Sequence, residues 1–158
     1  MLPTVKFLAE RLAHSVRRNG LLGTLGRCVV GIEDMRFDRR FGIDTLEAGR
    51  DYRIPDGYER DLYVSYSPTK LRRLKKIFRD LRVKYQDFTF IDIGSGKGRA
   101  LLVASEFPFR RILGVEFSTE MHLIAQKNIQ NYRSKTQRCS AIELHCGVQN
   151  GLAFLREI

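Results

Sequence analysis

Residues 92–99, Asp-Ile-Gly-Ser-Gly-Lys-Gly-Arg, set a carboxylate before three glycines at alternate positions. Glycine lets a backbone turn sharply and come close to a ligand where a Cβ would clash. An apolar run, Phe88 to Ile93, precedes the glycines, and Ala100 to Ala104 (ALLVA) follows them with a helix-favouring composition. Strand, glycine turn and helix open a βαβ unit, and the helix start aims its free N–H groups at the same space. A second apolar run, Arg111 to Ser118 (RILGVEFS), carries another acid, Glu116, near its end. It falls about where a nucleotide-binding βαβ unit carries a carboxylate for the two ribose hydroxyls.

Phosphate-binding loops need G-x-x-x-x-G-K-[ST]. Counting back from Gly96-Lys97 puts Ile91 at the first glycine, and Gly98 stands where the magnesium-binding hydroxyl belongs. The dinucleotide fingerprint G-x-G-x-x-G puts its third glycine on Arg99, a poor fit to an NAD-binding oxidoreductase. The remaining pattern, Asp92 followed by Gly94, Gly96 and Gly98, with GVE at residues 114–116, resembles motif I and the second strand end of class I S-adenosylmethionine-dependent methyltransferases. The same combination is similar to histone-lysine methyltransferases on this fold, and FDRRFGIDT (37–45) resembles a bacterial branch of the group. That resemblance implies S-adenosyl-L-methionine as cofactor. Gly94, Ser95, Gly96 and Gly98 would form its bed, Glu116 would take the ribose, and Phe117 would flank the adenine. Asp92 would hold the loop or receive the cofactor's ammonium. The acceptor is open among protein lysine, RNA and small molecules, and no catalytic residue is assigned.

The elements that must position these residues follow from periodicity. Pro3 to Arg18 repeats apolar residues at helical spacing and stops at Asn19-Gly20. Leu21 to Ile32 reads as a second short helix or a loop, and Asp34 to Pro55 as a charged, turn-rich cover or lid. Ser67-Pro68 predicts an N-cap and first turn for a helix over 69–83, with Leu71, Leu74, Ile77, Phe78 and Leu81 on its inner face. Tyr63 and Tyr66 either line the methyl-donor pocket or pack as ordinary rings. Phe88 to Ile93 is expected to be a strand buried on both faces. Ser118 caps a helix to about Tyr132, with Met121, Ile124, Ala125 and Ile129 inward, and Ala141 to Cys146 is a third strand. The fold class is therefore α/β, a Rossmann-like three-layer parallel sheet comprising the first three strands of a class I methyltransferase. An α-helical N-terminal region over 1–66 precedes the partial methyltransferase domain over 67–158.

The formal charge of +10 favours anionic partners, including nucleic acid, but equally describes a solvated basic surface. A basic binding module without catalysis is thus the rival from another class. Three widely spaced cysteines indicate neither disulfide framework nor metal site and suit a reducing cytoplasmic setting. No apolar run reaches the ~20 residues of a membrane span. After Gly147, the family's usual acid for the adenine amino group is replaced by Val148-Gln149-Asn150. With the first strand near Phe88 there is room for three strands of the family's seven. The expectation is a chain ended early near Gly147, its fourth strand and substrate-facing motif lacking.

Overall fold

The computed structural model describes residues 5–46, 51–53 and 63–147. Tyr58 and the residues after Gly147 lie outside these, as do the side chains of Cys28 and Tyr63.

The first helix, α1 (Val5–Phe41), joins the two apolar stretches of the N-terminal region and breaks only at Gly20 (φ 70°, ψ 172°). The stop signal there is a kink, not an end. Nor is 34–41 a loop, as its charges suggested, for it forms the last turns of α1. Asp34, Phe37 and Asp38 fall on one helix face at i, i+3 and i+4 and are all buried. Partners later in the chain satisfy their charge, so the segment stays helical despite a loop-like composition. β1 (Asp51–Arg53) and β2 (Tyr63–Ser65) form a small antiparallel pair with Tyr52 opposite Val64.

Helix α2 (Leu71–Asp80) starts later and ends earlier than its pattern predicts, and Ser67 is not its cap. Lys70 holds the cap position without a side-chain bond, while the Leu71 amide donates to Asp34 Oδ1 of α1 at 3.1 Å. A residue 37 positions away thus meets one of the orphan donors of the first turn. Leu71, Leu74 and Phe78 are buried, but Ile77 and Leu81, expected inward, are 47% and 42% exposed.

The rest is α/β. β3 (Thr89–Ile93), β4 (Arg111–Glu116) and β5 (Ile142–Cys146) form one parallel sheet in the order β3-β4-β5, with Asp92, Gly114 and Leu144 in register. α3 (Arg99–Ala104) and α4 (Thr119–Asn131) are the two crossovers, each beginning where the sequence predicts. β4 is the strand buried on both faces, since its residues 112–116 are all buried. β3 is not: among the described residues it is a sheet edge, half-buried along its length, with Ile93 63% exposed. Gly114 has a packing reason, because a Cβ there would stand 2.5 Å from Leu101 Cδ1 and 2.7 Å from Leu144 Cδ2. Its absence lets α3 lie close against the sheet. The core gathers Phe37, Leu71, Leu74, Phe78, residues 101–104, Phe109, Ile112 and Tyr132.

Candidate functional site

β3 ends at Ile93, and the chain reverses through Gly94 (φ 78°), Gly96 (φ 54°) and Gly98 (φ 82°) into α3. All three glycines take left-handed backbone conformations that a side chain would strain. The Gly94 and Ser95 amides both donate to the Val115 carbonyl, at 2.8 and 2.9 Å, which ties the turn to the end of β4. The next link is made by Glu116, 3% exposed. Its Oε2 accepts the Gly96 amide at 2.6 Å and its Oε1 the Ser118 amide at 2.8 Å. A carboxylate has about four lone-pair positions, so both oxygens keep one for another donor.

A cavity of about 500 Å³ opens over this brace, lined by Ser65, Tyr66, Gly94, Gly96, Glu116, Phe117 and Met121. A second, of about 290 Å³, lies between α2 and β3 and is lined by Ile77, Phe78, Phe90, Asp92 and Ser95 among others. Tyr66, Ser67 and Gly94 border both cavities. The Tyr66 ring is packed onto Gly96, for a Cβ there would stand 2.6 Å from its Cε2. This ring therefore borders both spaces while lying against the turn. The Ser95 hydroxyl, buried, has no hydrogen-bond partner among the described residues.

Burial, and then the nearby charge of Glu116, pushes the Asp92 carboxyl up to about 6. Burial also lowers the pKa of His122 on α4, an effect larger than the opposing pull of Glu116. Glu116 itself is held by the backbone amides of Gly96 and Ser118.

Of the residues singled out by sequence, Asp92, Gly94, Ser95, Gly96, Glu116, Phe117 and Tyr66 all border one cavity or the other. Gly98 stands apart, since it begins α3 and packs against α4, its missing Cβ lying 3.3 Å from Ala125 Cβ. What sequence reasoning missed is the seat beneath the turn. Lys97 is fully buried and its Nζ pairs with both carboxylate oxygens of Asp44, at 2.9 and 3.0 Å. Arg99 is buried too. Its Nε donates to Thr45 Oγ1 at 2.8 Å, and its terminal nitrogens meet Asp34 at 3.2 Å and Asp38 at 3.4 Å. Asn128 of α4 donates to the carbonyls of Asp44 and Lys97, at 2.8 and 2.9 Å. Residues 42–46 thus form a strap fastening the end of α1 to the glycine turn. The available signal was two cations inside the glycine motif and acids at i and i+4 in 34–38, which only a shared buried location would have joined.

A parallel sheet with a glycine turn after its first strand, and an acid closing its second, defines an α/β protein of the Rossmann-like kind. The model of one family, described as histone methylation protein DOT1, matches residues 57–145, more than half of the chain. The protein belongs to that family. No curated protein matches it. Among the described residues no helix is long and apolar enough to cross a membrane, and no cluster of side chains suits a metal ion.

Proposed function

We propose that the chain binds S-adenosyl-L-methionine and acts as a methyltransferase on a protein acceptor. One observation carries the reading: the glycine turn and the second-strand carboxylate are hydrogen-bonded to each other at the mouth of one cavity. About 500 Å³ lies within the range of small-molecule sites. Space is left where Gly94 would carry a Cβ, and Glu116 retains acceptor capacity beside it. The residues present therefore fit a nucleoside with a cationic arm. The family's description as a histone methylation protein supports a protein rather than a nucleic acid as acceptor.

When bound, the cofactor supplies an electrophilic methyl group on its sulfonium. The chain's own residues bind, align and exclude water. Glu116 accepts ribose hydroxyls with its remaining lone pairs, Phe117 flanks the base, and Gly94, Ser95 and Gly96 present backbone close to the ligand. Asp92 lines the smaller cavity, which adjoins the first at Gly94, and there, ionised at neutral pH, it receives the ammonium. Tyr66 closes the space over Gly96.

Titration calorimetry with S-adenosylmethionine tests this. Gly96→Arg drives a side chain into the Tyr66 ring, and Glu116→Ala removes the brace. Each is expected to weaken binding at least about a hundredfold. Glu116→Gln, which preserves shape, covers the case in which the alanine variant is misfolded. Wild-type affinity retained by folded variants, or tighter binding of NAD than of S-adenosylmethionine, would overturn the assignment. Affinity should also fall as the pH drops below about 6, where Asp92 takes up its proton and no longer attracts a cation.

A further inference from the structure

We infer that Thr45 is a positioning residue for the cavity, setting its affinity through Tyr66 and the glycine turn without touching the ligand, with Arg99, which also lines the smaller cavity, as its hydrogen-bonded partner. The inference rests on the reading that the cavity takes S-adenosylmethionine.

All three polar groups of Thr45 are engaged. Its amide donates to Asp38 Oδ2 at 2.6 Å and its hydroxyl to Asp38 Oδ1 at 2.6 Å. That hydroxyl accepts the Arg99 Nε–H at 2.8 Å, and its carbonyl accepts the Tyr66 hydroxyl at 3.2 Å. Of the terminal nitrogens of Arg99, Nη2 donates to Asp38 Oδ1 at 3.4 Å, and Nη1 lies 3.2 Å from Asp34 Oδ1 as an ion pair without a hydrogen bond. The Tyr66 ring, tethered at its hydroxyl, lies on Gly96, and the Gly96 amide is on Glu116. A continuous path therefore runs from α1 through Thr45 and Tyr66 to the carboxylate assigned to the ribose. Beside it, Lys97 pairs with Asp44 while its Nζ sits 5.5 Å from the centre of the Tyr66 ring.

Thr45, Asp34 and Arg99 are at most 2% exposed. Burying ions at such density is a poor route to stability, because desolvation offsets the attraction between them. What it supplies is a restricted geometry, because the bonds joining Thr45, Asp38 and Arg99 Nε are all made together in this one arrangement. Both residues that the cluster grips inside the motif, Lys97 and Arg99, flank Gly98 in the turn. Without the cluster Tyr66 and the turn sample other arrangements, and a ligand must first select the competent one.

The test uses the full chain and compares Thr45→Val, which deletes the hydroxyl, with Thr45→Ser, which keeps it. Calorimetry with S-adenosylmethionine is expected to show about tenfold weaker binding for the valine variant and less than about twofold for the serine. Phe109→Leu, in an aromatic cluster away from the turn, controls for lowered melting temperature and should bind like wild type. In protein labelled with 3-fluorotyrosine, the ¹⁹F resonance assigned through Tyr66→Phe should broaden or split in Thr45→Val alone. If Thr45→Val does not fold, Arg99→Lys, which keeps the charge and loses the bond to Thr45, is expected to show the same tenfold loss. Unchanged affinity in a folded Thr45→Val or Arg99→Lys protein overturns the inference, as does equal weakening by Phe109→Leu. If wild type binds no S-adenosylmethionine, the functional reading fails by itself. The fluorine spectrum then still decides whether Thr45 orders Tyr66.

Discussion

The two ends of the parallel sheet are built from opposite materials. Where β3 and β4 begin, Phe78, Tyr85, Phe90, Phe107 and Phe109 make a set of ring contacts with centroids 4.9–5.9 Å apart. Where those strands end, the interior is ionic: Asp34, Asp38, Lys97, Arg99 and Glu116 are all buried. Rings are non-directional in most of what they contribute, since their stabilisation scales with area removed from water. Buried charges and amides are the reverse, tolerating few arrangements and penalising every unmet group. One end can thus vary in detail and still hold the fold, and the other can be well folded yet unfit to bind.

Three measurements break or sharpen that contrast. The largest effect is expected at the aromatic end. Phe109→Ala, at a residue 7% exposed, should cost about 3–5 kcal/mol in denaturant unfolding. Whatever protein remains folded should bind S-adenosylmethionine within about threefold of wild type; a larger loss would mean that the two ends are not separable.

The second effect is a gain, at the ionic end. The Asp92 carboxyl stands at about 6 in the folded chain against an ordinary 3.8. Between those values the folded state holds a proton that the unfolded state has released. Stability is therefore present below about pH 4 and is lost as the pH rises through 6. Two units correspond to roughly 3 kcal/mol as an upper bound. Asp92→Asn should match wild type near pH 4 and exceed it by up to that amount at pH 7, while binding the cofactor less tightly. The lowered pKa of Glu143 opposite Arg111 runs the other way, so the difference between variant and wild type is the quantity to measure. Equal unfolding curves at both pH values would show that Asp92 is not held at a cost for function.

The smallest is local. Ser118 accepts the Met121 amide at 3.4 Å at the start of α4. Ser118→Ala should cost about 1 kcal/mol by thermal melting. A cofactor affinity that falls in step would extend the ionic end into α4, because the Ser118 amide also sits on Glu116.

Legibility in the sequence divides along the same line. Asp92, the glycines and Glu116 were readable because their chemistry is local: a strand end, a backbone reversal and a fixed span to the next strand end. β3, β4, β5, α3 and α4 were found within a residue or two for the same reason. The end of α1 reads as a cover because acids and arginines in a row look solvated. Ser67 reads as a cap because the better partner, Asp34, lies on another element. Burial on both faces belongs to β4 rather than β3, since an apolar run does not say which strand is central.

By itself the sequence determined the left-handed bends at Gly94, Gly96 and Gly98, which runs form the parallel sheet, and that an acid closes each of its first two strands, whereas β1 and β2 were not legible in it. Tertiary structure alone decided that Asp38 and Arg99, 61 residues apart, are partners, and that Thr45 stands between the helix and the turn. A conformational demand is written in one residue and its neighbours. A buried charge is satisfied only by whatever the folded chain brings within about 3 Å of it, and nothing local names that partner.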